Sequence, residues 1–311
     1  YTTRPNLNLS TAVPENIDIL LFNGISDSLD TTQESTLRSF ISRGGNVFFA
    51  QNRINVDIQT QQANPIKSNI FSILDSYGLS IKENLVLDKT CNQVNVQQQM
   101  GPFRMAVPMD YPFLPILKKF NESEVTVNGL ESISLIFTSE IQADSVYSEN
   151  LVEFTPLLYT SNRSSSMSEF YNLNPDPKTN PVFNQLTEPS KVVGARSIVA
   201  DKQTGIESNL TLVSDSQLFS DQGGGGSQNN IIFVMNTIDY MLGDSELIAL
   251  RSREILDRPL IGDAEGVSNQ TRLTWKIINM LFPTLLIILL GIFYRRKKNN
   301  KSKILQAIYE K

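Results

Sequence analysis

The chain has 311 residues, 40% of them hydrophobic, and this is enough for one large folded core or two modest ones. It contains no histidine, which excludes the commonest general base at neutral pH and the commonest metal ligand. Its single cysteine, Cys91, excludes an intrachain disulfide and a cysteine metal site, and its net charge of -5 argues against nucleic-acid binding.

The first predicted unit is a strand, a helix and a second strand within the segment DILLFNGISDSLDTTQESTLRSFISRGGNVFFA. The strands cover Ile19–Phe22 and Val47–Ala50, and both are short apolar runs. Thr31 and Glu34 have the spacing of a capping box at the start of the helix, and Gly44 follows its end. Two strands joined by one helix predict a parallel crossover.

The next stretch predicts a second helix and then a series of extended segments. Apolar residues at helical spacing run from Ile70 to Tyr77, and Gly78 ends them. The extended segments are LSIKENLVLD, SISLIF (Ser132–Phe137), LVEFTPLLYT, VVGARSIVA and NLTLVSDS, of which the last two are predicted to pair.

Three further stretches complete the body. The residues from Cys91 to Pro115 are rich in Gln, Met and Pro and predict no particular element. The Ser/Asn/Pro-rich stretch between Ser161 and Ser190 predicts a long mobile loop or a protruding flap. A helix is predicted over Asn230–Leu242, with these apolar residues near one face: Ile231, Val234, Met235, Ile238 and Leu242.

The loop after the first strand, NGISDSLD, lacks the motifs that hold cofactors or nucleophiles. A dinucleotide site, a phosphate-binding loop and a nucleophile elbow each need a pattern that is absent from the chain. Asp27 and Asp215 both follow strands, so the two carboxylates could face each other and bind a divalent cation or perform acid–base chemistry. Helix caps and loop acceptors are the simpler interpretation of both residues. Without an imidazole partner, Cys91 is interpreted as a small, partly buried apolar residue. We therefore expect no catalytic residue, no cofactor and no metal.

Near the end of the chain, the segment IINMLFPTLLIILLGIFY (Ile277–Tyr294) predicts a transmembrane helix. Its 18 residues reach about 27 Å, close to the thickness of the hydrocarbon core of a bilayer. A buried core helix is the alternative. Trp275 and Tyr294 are the expected interfacial aromatic residues, and Lys276 can reach the membrane surface. Pro283 can kink the helix, and Asn279 and Thr284 are its polar residues. The basic cluster that follows the span consists of Arg295, Arg296, Lys297 and Lys298.

The basic cluster also predicts the direction of the span. From Arg295 onward seven basic residues stand against Glu310 alone, so the remainder of the chain has a net charge of about -11. Because basic residues beside a span stay in the cytoplasm, the acidic body is expected outside it. We predict a body over 1–262, with its flap at 161–190, a linker over 263–272, a span over 273–294 and a cytoplasmic tail over 295–311.

Several segments together resemble the GldG family of gliding-motility-associated ABC transporter proteins. These segments are NIFSILDSYGLSIKENLVLDKTCNQVNV, the strand–helix–Gly-Gly–strand opening, NTIDYMLGDSELIALRSREILDRPL, and the terminal span with its Arg/Lys cluster. The resemblance implies an α/β body with a Rossmann-like, amidotransferase-like and mostly parallel sheet flanked by helices, together with one C-terminal transmembrane helix. It also implies a domain without catalytic residues.

The same resemblance implies a non-enzymatic auxiliary or substrate-binding component of a bacterial ABC transporter. Its expected partners are a permease, a separate ATPase and the lipid bilayer, with no nucleic acid, and its main domain is expected in the periplasm. GldG-type proteins commonly carry an N-terminal span as well. Two other interpretations remain open from the residues: a membrane-tethered adhesion or receptor ectodomain, and a hydrolase that uses Asp27 and Asp215.

Overall fold

The structure is a computed structural model that describes residues 2–100, 103–143, 150–220, 227–254, 274–283, 287–292 and 294. The chain divides into two compact units, the body (Tyr1–Leu256) and a C-terminal unit (Asp257–Lys311), and each is described by itself.

Short strands dominate the body. Its described strands are β1 (Ile19–Asn23), β2 (Asn46–Ala50), β3 (Ile54–Asp57), β4 (Gln62–Pro65), β5 (Leu79–Ile81), β6 (Leu85–Asp88), β7 (Cys91–Met100), β8 (Phe103–Leu117), β9 (Lys119–Phe120), β10 (Ile133–Ser134), β11 (Ile141–Ala143), β12 (Leu151–Tyr159), β13 (Ser164–Met167), β14 (Val192–Ala200) and β15 (Glu207–Val213). Its described helices are α1 (Thr31–Ser42), α2 (Ile70–Ser76), α3 (Gln228–Met241) and α4 (Ser245–Glu254), with 3₁₀ turns at Val125–Val127 and Pro181–Asn184.

The central sheet has the strand order β1-β2-β15-β14-β12-β9. The pairs β1–β2 and β2–β15 are parallel, whereas β15–β14, β14–β12 and β12–β9 are antiparallel. The smaller sheets of the described body are antiparallel throughout. The expectation of a Rossmann-like, mostly parallel sheet is therefore wrong.

The connections between strands explain this outcome. A helix such as α1 can carry the chain back to start a parallel neighbour, and the predicted parallel crossover from β1 to β2 is confirmed. Between β14 and β15 the chain has only the turn 201–206. The Asp201 amide donates a hydrogen bond of 2.9 Å to the Ile206 carbonyl oxygen and closes this turn. A turn this short can only reverse the chain, so these strands are antiparallel.

Helices cover both faces of the central sheet because side chains alternate along each strand. In β2, Val47 and Phe49 face a core that includes residues of α1 and α2. Phe48 and Ala50 face a second core that includes Phe233 of α3. All four of these β2 residues are fully buried, as expected for a strand that is covered on both faces.

Both early helices form as predicted, with one local correction. The cap of α1 is Asp30 with Gln33, not Thr31 with Glu34: the Asp30 carboxylate accepts from the Gln33 amide at 2.8 Å, and the Gln33 side chain accepts from the Asp30 amide at 3.0 Å. Glu34 instead forms an ion pair with Arg38 at 2.9 Å. Helix α2 ends before Gly78, whose φ of +80° is a left-handed conformation that glycine adopts readily.

The segment between Ser161 and Ser190, expected as a loop or protruding flap, is instead packed onto the body. Its strand β13 pairs with β6. Three of its side chains, Leu173, Phe183 and Leu186, are buried in a third core with Tyr111 and Phe113. Apolar residues scattered among Ser, Asn and Pro are therefore sufficient to bury this segment.

Three other parts of the body differ from what the sequence predicted. The segment SISLIF contributes only Ile133–Ser134 to a strand, although Leu135 is fully buried beyond it. The unassigned stretch from Cys91 onward is the long hairpin of β7 and β8. Helix α3 is present, but the expected apolar stripe is not its most buried face, since Ile231 is 52% exposed.

Candidate functional site

The carboxyl ends of β1, β2 and β15 form a candidate ligand-binding edge of the central sheet. These three strands are parallel neighbours, and ligands of open α/β sheets bind outside the carboxyl ends of such strands. The loops that leave this edge begin at Gly24, Gln51 and Ser214. Both candidate carboxylates, Asp27 and Asp215, lie on these loops.

Asp215 is a buried structural acceptor. Its carboxylate oxygens accept hydrogen bonds from the backbone amides of Ile136 at 2.9 Å and Gln217 at 2.7 Å, and the residue is fully buried. Burial raises the pKa of Asp215 to about 7, although the two backbone donors act in the opposite direction.

Asp27 lies in a different environment. Its side chain is exposed, and its backbone carbonyl accepts from the Ser68 hydroxyl at 2.8 Å. Asp27 and Asp215 thus share no hydrogen-bonding partner. Among the residues that the structure describes, no group of three or more acidic or cysteine side chains is arranged to hold a metal ion.

Two amide side chains that the sequence analysis did not identify occupy the edge of the sheet. The Gln51 side chain accepts from the Ile25 amide at 2.6 Å and donates to the Ile25 carbonyl at 3.0 Å. The Asn52 side chain donates to the Phe137 carbonyl at 2.9 Å and accepts from the Ser216 amide. Loop amides that would face a phosphate in a nucleotide-binding protein are therefore used by the protein's own side chains.

Close contact between the loops also closes this edge. Gly24 has a φ of +71°, and a Cβ atom at this position would lie 2.8 Å from the Cβ atom of Ser216. The loop after β1 thus contacts the loop after β15 directly. The edge has the strand arrangement of a ligand site, with the Ile25 and Ser216 amides already bonded to the protein's own side chains.

Cys91 has the properties of a structural thiol. It is half-buried at the start of β7. Burial, with a smaller contribution from the Asp110 carboxylate, raises the pKa of the Cys91 thiol to about 11. A thiol with this pKa is protonated at neutral pH, whereas a nucleophilic cysteine needs a lowered pKa.

Two open grooves on the body have the volume of a small-ligand site. One, of about 460 Å³, lies where the ends of α1 and α3 meet the start of β2, and it is lined in part by Glu15, Asp18 and Asn46. The other, of about 350 Å³, is lined in part by Lys118 and Phe120. Both have few apolar side chains, whereas pockets for small molecules are mainly apolar.

Among the described residues of the C-terminal unit, one helix, α5 (Thr274–Ile292), is long and apolar enough to cross a membrane. The apolar stretch of this helix is not buried within the protein. Trp275, Lys276, Asn279 and Pro283 lie on this helix and are exposed, and Tyr294 is 73% exposed. The other predicted anchor residues, Thr284, Arg295, Arg296, Lys297 and Lys298, lie outside the described residues.

The profile of the ABC_transp_aux family, described as an ABC-type uncharacterized transport system, matches residues 1–244. The chain belongs to this family. Membership in ABC_transp_aux associates the chain with an ABC-type transport system. The match covers the central sheet and α1 to α3, so the matched residues lie within the body.

Sequence and structure comparisons give more distant relatives. An uncharacterized protein from Borreliella burgdorferi is 24% identical over 287 residues, which cover 88% of this chain and 55% of that protein. The chain thus spans about half the length of this relative.

Two solved structures are also similar in part. The mmIFT52 N-terminal domain has a TM-score of 0.45 at 11% identity and covers 73% of this chain and 78% of its own. A ThuA-like protein from Bacteroides uniformis has a TM-score of 0.32 at 12% identity and covers 72% of this chain and 69% of its own. Likeness at this level establishes neither a shared fold nor a shared function.

Proposed function

We propose that this member of the ABC_transp_aux family is a membrane-anchored, extracytoplasmic auxiliary subunit of a bacterial ABC transporter of the gliding-motility-associated (GldG) type. One observation carries the proposal: a chain whose body belongs to a transport-system family also has an exposed apolar helix of membrane-spanning length. A helix that is apolar on every side and unburied is stable only in an apolar environment such as lipid.

The proposed direction follows from charge. The Arg/Lys cluster after α5 stays in the cytoplasm, and the acidic body lies outside the cytoplasmic membrane, in the periplasm. There the body works beside a permease and a separate ATPase. Within the span, the side chains of Asn279 and Thr284 and the backbone near Pro283 are the groups best suited to bind a permease helix.

A non-enzymatic role is consistent with the body's chemistry. At the sheet edge where a ligand would bind, the side-chain oxygens of Gln51 and Asn52 accept hydrogen bonds from the loop amides of Ile25 and Ser216. The Cys91 thiol is protonated at neutral pH, and no histidine is available as a base. The auxiliary subunit therefore acts by binding its partners, and any ligand it presents to the transporter is held without chemical change.

Replacement of the span tests this proposal. We predict that exchange of Ile277–Tyr294 for a plain Leu/Ala span, with the Arg/Lys cluster kept, preserves membrane insertion and weakens co-purification with the permease and ATPase in mild detergent. The expected loss is about threefold to thirtyfold for each contact removed, because each polar interhelical contact contributes roughly 0.6 to 2 kcal/mol.

The matched control is the same Leu/Ala span with Asn279, Pro283 and Thr284 restored. This control should recover co-purification if these groups bind the permease. Equal recovery of partners by both spans would show that the helix is only an anchor. Absence of a permease and an ATPase from the wild-type preparation would contradict the proposed function itself.

A further inference from the structure

The hairpin of β7 and β8 has an outer part, residues 92–110, that we call the arm. The side chains of the arm that the structure describes are exposed or half-buried on both of its faces. The arm consists of two paired strands. One face is mainly apolar and carries the paired residues Val94–Met109, Val96–Val107 and Gln98–Met105. The other face is mainly polar and carries Gln93–Asp110, Asn95–Pro108 and Gln97–Ala106.

The position of Pro108 shows which backbone groups of the arm point outward. Pro108 pairs with Asn95 and has no N–H group, so this pair makes no ladder hydrogen bonds within the hairpin. The N–H and C=O groups of Asn95 therefore point to the outer edge of β7, and the alternation along a strand directs those of Gln93 and Gln97 the same way. Within the described residues, no strand lies against this edge.

The two edges of the arm differ in their protection. On β8 the outward donor at position 108 is missing because the residue is proline, and proline is a common guard against edge pairing. On β7, the sequence CNQVNVQQQM contains no proline, lysine or other charged residue. The β7 edge is therefore open to another strand.

We propose that the β7 edge of the arm pairs antiparallel with β7 of a second copy of this chain. The sequence of β7 favours a second copy, because Gln93-Val94-Asn95-Val96-Gln97 reads the same in both directions and an antiparallel pair centred on Asn95 places like residues opposite each other. The strand carries no charge, so this pairing places no two charges opposite each other.

The sequence of β7 also sets the register of the pair. A two-fold axis at Asn95 places Val94 opposite Val96 of the second copy and Gln93 opposite Gln97 of the second copy. The valines then lie at non-hydrogen-bonded positions, where side chains are closest, and the outward-pointing residues exchange the backbone hydrogen bonds. The two Cys91 positions lie about 26 Å apart in this arrangement, which exceeds a Debye length of about 8 Å and separates the acidic bodies.

Disulfide cross-linking tests the register in the full-length chain in mild detergent. In a Cys91→Ser background, Asn95→Cys is expected to give a covalent dimer on mild oxidation, because the two Cα atoms at the axis lie about 5.5 Å apart, within disulfide range. Gln99→Cys is the matched control. It lies on the same strand, about 26 Å from its own counterpart, and should stay monomeric. Equal cross-linking of both variants, or of neither, would overturn the proposed pairing.

Proline substitution tests the edge. Gln97→Pro removes an outward donor and leaves the hydrogen bonds within the hairpin intact, so we expect dimerisation to weaken at least about tenfold, measured by light scattering over a concentration series. Ala106→Pro makes the same change on the opposite edge of the arm and should dimerise like the wild type. A wild-type chain that stays monomeric at about 100 μM, or a Gln97→Pro chain that dimerises normally, would refute the proposal.

Discussion

At the scale of single residues, Asp215 is a buried acid whose environment both favours and disfavours its charge. Two backbone amides hydrogen-bond to the carboxylate and favour the charged form, yet complete burial has the larger effect. With a pKa of about 7 in the folded protein and 3.8 as the ordinary value, Asp215 takes up a proton on folding at any pH between these two values.

This raised pKa predicts a pH dependence of stability. Because the folded state holds a proton that the unfolded state releases between about pH 4 and 7, the free energy of unfolding should fall by up to roughly 1.4 kcal/mol per pH unit as the pH rises through that window. The contribution of Asp215 is fully present below pH 4 and lost above pH 7. Denaturant unfolding of the full chain at several pH values measures the slope.

Two variants isolate the contribution of Asp215. Asp215→Asn cannot titrate, so its slope should be shallower than that of the wild type between pH 4 and 7. It should also be less stable overall, because an amide has one oxygen where Asp215 uses two to accept from Ile136 and Gln217. Asp27→Asn, at an exposed position, should keep the wild-type slope. Identical slopes in all three proteins would mean that Asp215 does not hold this proton.

At the scale of elements, α3 buries polar groups that bind neighbouring segments. Asn230 donates to the Ser134 carbonyl at 2.8 Å and accepts from the Ser134 amide at 3.1 Å. Arg251 of α4 donates to the Asn236 side chain at 2.5 Å and to the Asp239 carboxylate at 2.7 Å. Helix α4 therefore packs against α3 through an ion pair whose Asp239 carboxylate is fully buried and through the buried side chain of Ile248.

Loss of this ion pair should destabilise the body. Arg251→Ala leaves the Asp239 carboxylate buried without this cation, and we expect a decrease of about 3 kcal/mol in the free energy of unfolding. Arg38→Ala is the control, because its ion pair with Glu34 is partly exposed at 40% and 31% and should contribute less than about 1 kcal/mol. Thermal denaturation followed by circular dichroism compares the two. If both variants lose the same small amount, the Asp239–Arg251 pair does not hold α4 to the body.

At the scale of the whole molecule, the decisive feature is the asymmetry of charge around the apolar helix. The basic residues after Tyr294 and the acidic balance before it predict one orientation in the membrane. The family match ends at residue 244, so the helix that the proposal assigns to the membrane lies beyond the matched residues.

Cysteine labelling in a Cys91→Ser background tests the orientation. We predict that Ser227→Cys reacts with a membrane-impermeant reagent on intact spheroplasts, because the proposed orientation places the body in the periplasm. Ser302→Cys lies after the Arg/Lys cluster and should react only after lysis. Reaction at position 302 in intact spheroplasts would reverse the orientation and contradict an extracytoplasmic body.

The sequence by itself determined the features that depend on neighbouring residues. Apolar periodicity and glycine stops predicted α1 and α2, and two neighbouring apolar segments predicted the β14–β15 pair. A continuous apolar run predicted a helix at Ile277–Tyr294, and the structure has one over Thr274–Ile292. Each signal is contained within one segment, so no distant partner is needed to interpret it.

Tertiary structure alone decided the direction of most strands, the buried face of α3 and the closure of the sheet edge. These features depend on contacts between residues far apart in the chain: Asn52 and Ser216 are separated by 164 positions, and Asn230 and Ser134 by 96. A buried asparagine is stable only where distant backbone groups satisfy its hydrogen bonds, and a local pattern does not reveal those partners. The hairpin of the arm was also not predictable from a local pattern. Strands with few apolar residues pair mainly through backbone hydrogen bonds, and these do not depend on side-chain identity.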